Sequence, residues 1–109
     1  MARPHLHDDG STVTLDLHGA TVDEGLRLVR RAAALASRRA RSSLRVVHGS
    51  STSDLRARNR TLKHALHDLL DDGALPEVTG DFRGEGFTLI SLGVGGRGDP
   101  APIRLSDLR

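Results

Sequence analysis

A chain of 109 residues is one domain with room for a single modest core, and its formal net charge is only +2. It contains no cysteine, which excludes disulfides, thiolate metal sites and a thiol nucleophile. The opening MARPHLHDDG has no apolar run and no segment approaches transmembrane length, so a soluble, cytoplasmic protein without a membrane partner is expected.

Fifteen of the sixteen cations are arginine, Lys63 being the other. The planar arginine fork matches phosphate oxygens bidentately, which suits a nucleic-acid ligand, although an arginine-biased codon usage produces the same composition. The only aromatics are Phe82 and Phe87. That scarcity argues against a base-stacking binder and puts most of any affinity on phosphate contacts.

Residues 1–10 are polar and unpatterned and are expected to form a flexible arm ahead of a domain spanning 11–93. Thr12 to Leu17 alternates, with Val13, Leu15 and Leu17 on one face, and predicts a strand. Thr21-Val22-Asp23-Glu24 is a capping box, opening a helix that runs to about Arg41. Val22, Leu26, Val29, Ala33, Ala36 and Ala40 form its apolar stripe. Arg27, Arg30, Arg31, Arg38 and Arg41 make an opposite ridge, read as a solvated outer face.

Leu44 to Val47 predicts a second strand, followed by a serine-rich loop and a second helix from Ser53 or Asp54 to a cap at Gly73. Leu55, Leu62, Ala65, Leu66, Leu69 and Leu70 supply that helix's apolar stripe, with Arg56, Arg60, Lys63 and His67 along one flank. Glu77 to Phe82 and Phe87 to Leu92 bracket Arg83-Gly84-Glu85-Gly86, a hairpin signature. The order β-α-β-α-β-β predicts a mixed four-stranded sheet packed against two helices, with a parallel first pair. Residues 94–109 form a Gly/Pro-rich tail in which Ile103-Arg104-Leu105 is a candidate extra strand. Gly93-Val-Gly95-Gly96-Arg-Gly98 matches a dinucleotide fingerprint, but Pro100 and Pro102 forbid the helix it needs.

Chemistry concentrates where both early strands end in His-Gly. Asp16 and His18 share a face of the first strand, and His48 ends the second. Ligands gather at such carboxyl ends beside helix N-termini. Gly19 and Gly49 permit sharp turns and close backbone approach, and HGSSTSDLR, residues 48–56, offers hydroxyls and N–H groups as an anion cradle. Two imidazoles, a carboxylate and a phosphate cradle fit acid–base cleavage of a phosphodiester. Internal attack by an RNA 2′-hydroxyl needs no metal. His64 and His67 are read as surface residues, and His5 and His7 as weaker candidates still.

The segments LDLHGATVDEGL (15–26), LRVVHGSSTSDLR (44–56) and GEGFTLISL (84–92) resemble the small MutS-related (Smr) domain family in order and spacing. The resemblance implies an α/β two-layer sandwich similar to the C-terminal domain of translation initiation factor three. It also implies nucleic-acid binding, often with DNA nicking or RNA cleavage, in some members on messenger RNA at stalled ribosomes. The family's Asp-x-His motif falls on Asp16 and His18. Its His-Gly-x-Gly-x-Gly-x-Leu-Arg/Lys motif falls on His48, Gly49, Leu55 and Arg56, with Ser51 and Ser53 where the later glycines would stand. No fused MutS-like ATPase is expected to accompany it.

The expectation is a stand-alone endonuclease with RNA preferred over DNA. Asp16 orients a histidine or raises its basicity, and His18 and His48 serve as acid and base. Gly19, Gly49, Ser50, Ser51, Thr52, Arg56, Arg60 and Lys63 contact substrate. No metal ligand is assigned and no cofactor is required, the dependence on a divalent metal being open. The alternative is a non-catalytic adaptor for structured nucleic acid or the ribosome.

Overall fold

The computed structural model describes residues 3–49, 58–93 and 98–108, with the backbone alone for 58–61. Its elements in order are strands β1 (His5–Asp8) and β2 (Thr12–Asp16), helix α1 (Val22–Arg38), strand β3 (Ser43–Val47), helix α2 (Arg58–Asp71), strands β4 (Val78–Arg83) and β5 (Phe87–Leu92), and a 3-10 helix at Leu105–Leu108. The sheet has five strands, in the order β1-β2-β3-β5-β4. β2 and β3 are parallel, joined across α1, and every other pairing is antiparallel.

The expected four strands become five because His5–Asp8 pairs with β2 instead of belonging to an arm. His-Leu-His-Asp alternates, so Leu6 turns inward opposite Leu15 while His5 and His7 turn outward opposite Asp16 and Thr14. The connection is a tight turn with Gly10 at φ +95°. Asp8 Oδ1 accepts from Gly10 N at 2.8 Å, and Asp9 Oδ1 accepts from Ser11 N and Thr12 N at 2.8 and 2.7 Å. Asp-Gly between alternating runs is itself a hairpin signal.

Helix α1 begins as the capping box requires, the Thr21 hydroxyl accepting from Glu24 N at 3.1 Å. It ends at Arg38, short of the expected Arg41. Ala40 takes a left-handed φ of +62°, with Arg41 N–H bonded to Ala36 O at 2.8 Å and Ala40 N–H to Ser37 O at 3.0 Å. This is a Schellman closure with alanine where glycine is usual. Arg41 consequently leaves the ridge and turns inward. The helix buries Leu28, Val29, Ala32, Ala33 and Ala36, so its inner face is rotated from the expected stripe, and Val22 and Leu26 are only half-buried. Helix α2 closes as expected at Gly73, φ +69°.

The core lies between one face of the sheet and the helices. Val13, Leu15, Leu44, Val46 and Ile90 meet Val29, Ala33, Ala36, Leu62 and Leu66, all essentially without solvent exposure. The C-terminal segment is part of this layer. Ile103 and Leu108 are buried, and the candidate extra strand at Ile103–Leu105 is instead a run leading into the 3-10 helix.

One buried ion pair ties both ends of the chain to the sheet. Arg41 donates from Nε and Nη2 to the Asp8 carboxylate at 2.9–3.1 Å, from Nη1 to Arg39 O, and from Nη2 to Ala101 O. Asp8 also accepts from Ile103 N at 2.8 Å. Their side chains are 0 % and 3 % exposed. Burial pushes the Asp8 carboxyl up, but the Arg41 hydrogen bonds and the backbone donors Ile103 and Gly10 outweigh it and hold it below its ordinary value.

Candidate active site

The carboxyl ends of β2 and β3 lie side by side, Asp16 level with Val47 and Leu17 N–H bonded to Val47 O at 2.9 Å. Each strand leaves through a left-handed glycine, Gly19 at φ +85° and Gly49 at φ +88°. A side chain at either position would strain the backbone, which explains both His-Gly pairs.

Asp16 and His18 form a dyad. Asp16 Oδ1 accepts from the backbone N–H of His18 at 3.0 Å and from its ring Nδ1 at 2.5 Å. The carboxylate is an acceptor, so Nδ1 carries the proton and Nε2 is left as the basic nitrogen. The His18 side chain is 44 % exposed and that of Asp16 20 %, a carboxylate half sheltered behind an accessible imidazole. A third group joins them from β1. His5 Nε2 stands 3.7 Å from Asp16 Oδ2. Sequence reasoning discounted His5, but its alternation with Leu6 and the Asp-Gly turn were the signal that brings it across the strand pair to Asp16.

His48 is placed differently. It is 1 % exposed and its ring is on the helical side of the sheet, against His67 of α2. Its Nδ1 donates to Gly49 O at 2.9 Å and its Nε2 accepts from the buried Thr88 hydroxyl at 2.9 Å. Burial pushes its pKa down; the Gly49 contact opposes this, and Lys63 and His67 reinforce it. The backbone N–H groups of His48 and Gly49 are also engaged, both donating to Gly86 O of the β4–β5 turn at 3.1 and 2.9 Å. This part of the expected anion cradle therefore holds the hairpin turn. Lys63 braces the same turn, its ammonium donating to Glu85 O at 3.1 Å.

His67, expected on the surface, packs edge-on against His48 with ring centroids 6.2 Å apart. Its Nε2 is buried and has no hydrogen-bond partner among the described residues. Burial lowers its pKa, as do Arg83, Lys63 and His64, against a smaller opposing pull from Asp71. Ser50, Ser51, Thr52, Ser53, Leu55 and Arg56 lie outside the described residues, as does the side chain of Arg60. Arg27, Arg30, Arg31 and Arg38 are exposed on α1 as anticipated.

Among the described residues no group of three or more His, Asp or Glu side chains is placed to hold a metal ion, and no helix is long and apolar enough to cross a membrane. The structure thus brings Asp16, His18 and His5 together on one side of the strand ends and sets His48 on the other, backed by His67.

A family model described as Smr domain matches residues 15–93, from the first residue of the LDLHG segment to the glycine that follows β5. No curated protein and no solved structure matches the chain. The match covers the Asp16–His18 dyad, both left-handed glycines and the hairpin docked on the second of them. On that span, well over half its length, the chain belongs to the Smr domain family, whose domains are nuclease-like and bind nucleic acid.

Proposed function

We propose that the protein is an endonuclease that cleaves RNA in preference to DNA, with His18 as the proton-transferring group. The observation that carries this reading is the Asp16–His18 dyad, in which a carboxylate fixes the tautomer of an accessible imidazole. His18 Nε2 takes the proton of an RNA 2′-hydroxyl, and that oxygen attacks the neighbouring phosphorus. The bond from phosphorus to the 5′-oxygen breaks, and the leaving oxygen takes a proton from His5 or from water. The products are a 2′,3′-cyclic phosphate and a 5′-hydroxyl. DNA has no 2′-hydroxyl and cannot follow this route.

His48 acts in this scheme as a positioning residue, because its ring bonds the Gly49 carbonyl and Thr88 rather than solvent. Arg56, Arg60 and Lys63 supply phosphate contacts. The second reading, a non-catalytic nucleic-acid- or ribosome-binding adaptor, draws support from Ser51 and Ser53 in place of glycines and from the burial of His48.

The test is incubation with end-labelled single-stranded RNA, duplex RNA and DNA, with and without chelator, followed by analysis of product ends. His18→Ala should lower the cleavage rate by about 10²–10⁴-fold with little change in affinity. Equal losses of rate and affinity would make His18 a binding residue, and a wild-type protein inert on every substrate would favour the adaptor.

A further inference from the structure

The two faces of the sheet are unlike. Helix α1 packs on β2, β3 and β5 from one side and carries α2 and the C-terminal 3-10 helix with it. Among the described residues nothing covers the other side. Strand register puts three rows across that open face, the one farthest from Gly19 and Gly49 being Thr12, Ser43, Ser91 and Gly80. Of the other two, the first runs His5, Asp16, Val47, Phe87, and the second His7, Thr14, Arg45, Leu89, Phe82. The catalytic dyad and both aromatics of the chain therefore share one surface.

The aromatics are neighbours. The Phe82 and Phe87 rings lie 6.1 Å apart at 38°, and the Arg45 guanidinium sits 4.7 Å above the Phe87 ring from the opposite flank. Phe82 is 61 % exposed, the one large hydrophobic so exposed among the described residues. Asp16 is the one acid on these two rows, and it is already engaged by His18 and His5. Asp81 and Arg83 alternate to the helical side, where Arg83 bonds Asp71 at 2.7 Å. An exposed ring stacked against a half-buried one beside a cation, on two rows whose one acid is already engaged, is complementary to a flat base attached to an anionic backbone. Scarcity of aromatics spoke against stacking only while their positions were unknown.

We propose that this face is a platform for single-stranded nucleic acid: an unpaired base stacks on Phe82 and Phe87 beside Arg45, while the phosphodiester lies at His18. Asp16 and Phe87 are two strands apart, about 10 Å at the usual strand spacing. A short single-stranded segment crossing the sheet bridges that distance, and the stiff paired backbone of a duplex cannot splay a base onto the rings. The position of the phosphodiester rests on the endonuclease reading; the stacking does not.

Phe82→Trp gives the chain its only tryptophan, a direct reporter of stacking. The ligand is a short single-stranded RNA with 2′-O-methyl groups, which block internal attack, compared with its duplex. The single strand should quench the indole emission, and the duplex should not. Phe82→Ala and Phe82→Leu should each weaken single-strand binding by about 5- to 100-fold and leave duplex binding unchanged, with wild-type circular dichroism. Binding without quenching, unchanged affinity in Phe82→Ala, or equal losses on single strand and duplex would overturn the platform. In that event Phe82 belongs to a protein contact, and cleavage of unmodified RNA can still stand. Phe82-dependent binding without cleavage keeps the platform and removes the endonuclease. Absence of all binding by the wild type removes both.

Discussion

Asp8→Asn isolates the buried ion pair, because it keeps the shape of the side chain and deletes its charge. In the wild type every N–H that Arg41 directs at Asp8 ends on a carboxylate oxygen, in a site where both side chains are almost wholly removed from water. The variant leaves the guanidinium buried against a neutral amide, whose NH₂ group cannot accept. Removing one partner of a buried pair costs about 3–5 kcal/mol. For a domain of this size, total stability is about 5–15 kcal/mol, and each kcal/mol moves Tm by about 4–8 °C. The expected fall in Tm is therefore about 12 °C or more. Urea denaturation followed by circular dichroism gives the free energy directly. The informative comparison is the double variant Asp8→Asn, Arg41→Met, in which no charge is stranded. It should recover a large part of the loss, since replacing both partners of such a pair is often neutral. A loss below about 1 kcal/mol in the single variant, or a double variant equal to the sum of the singles, would refute the reasoning.

Three further outcomes are expected. Ala40→Gly should stabilise the protein by about 0.5–1 kcal/mol, because relief of the left-handed φ of +62° exceeds the added freedom of the unfolded chain; chemical denaturation checks it. Burial lowers the pKa values of His48 and His67 in the folded state, so the unfolded chain binds more protons below the ordinary histidine pKa of about 6.5, and stability should fall as pH drops from there toward the lowered folded values. Tm measured from pH 8 to pH 5 should show this decline, and His67→Leu should flatten part of it. Replacing Arg56 and Arg60 together with alanine should shallow the salt dependence of RNA affinity by about one to two phosphate contacts, whereas replacing Arg27 and Arg31 should leave the slope unchanged; titrations over a range of salt decide between the two faces.

Much of the fold was legible because its signals are local. Thr21 and Glu24 set the start of α1, Gly73 the end of α2, and the glycine turn at 83–86 the hairpin. The errors share a physical origin in contacts far apart in sequence. Three polar residues out of four in β1 read as an arm because an edge strand with two outward histidines needs only Leu6 and the paired Asp8 inside. The end of α1 was misplaced because a buried acid thirty-three positions earlier draws Arg41 inward, a pull no helical periodicity encodes. The site divided in the same way. Asp16 and His18 were readable as a pair from their spacing, but the equivalence of the two His-Gly ends was misleading. The ring of His48 falls on the helical side of the sheet, the side of Val46, and His18 stays with Asp16.

The family-matched span, residues 15–93, contains the dyad but not everything that surrounds it. His5, which approaches the far oxygen of Asp16, lies before that span, and so does Asp8 at the other end of the same short strand. Asp8 is held by Arg41 within the span and by the Ile103 amide beyond it, while Arg41 also reaches the Ala101 carbonyl. Strand β1 is thus pinned at its inner end by the C-terminal segment and presents His5 at its outer end. An edge strand of four residues, paired on one side only, is a marginal element by itself. The clasp is what keeps the second imidazole beside the carboxylate. Loosening it at Asp8 should reach the dyad without touching it, so that the stability lost in Asp8→Asn and any change in the environment of His5 have the same origin.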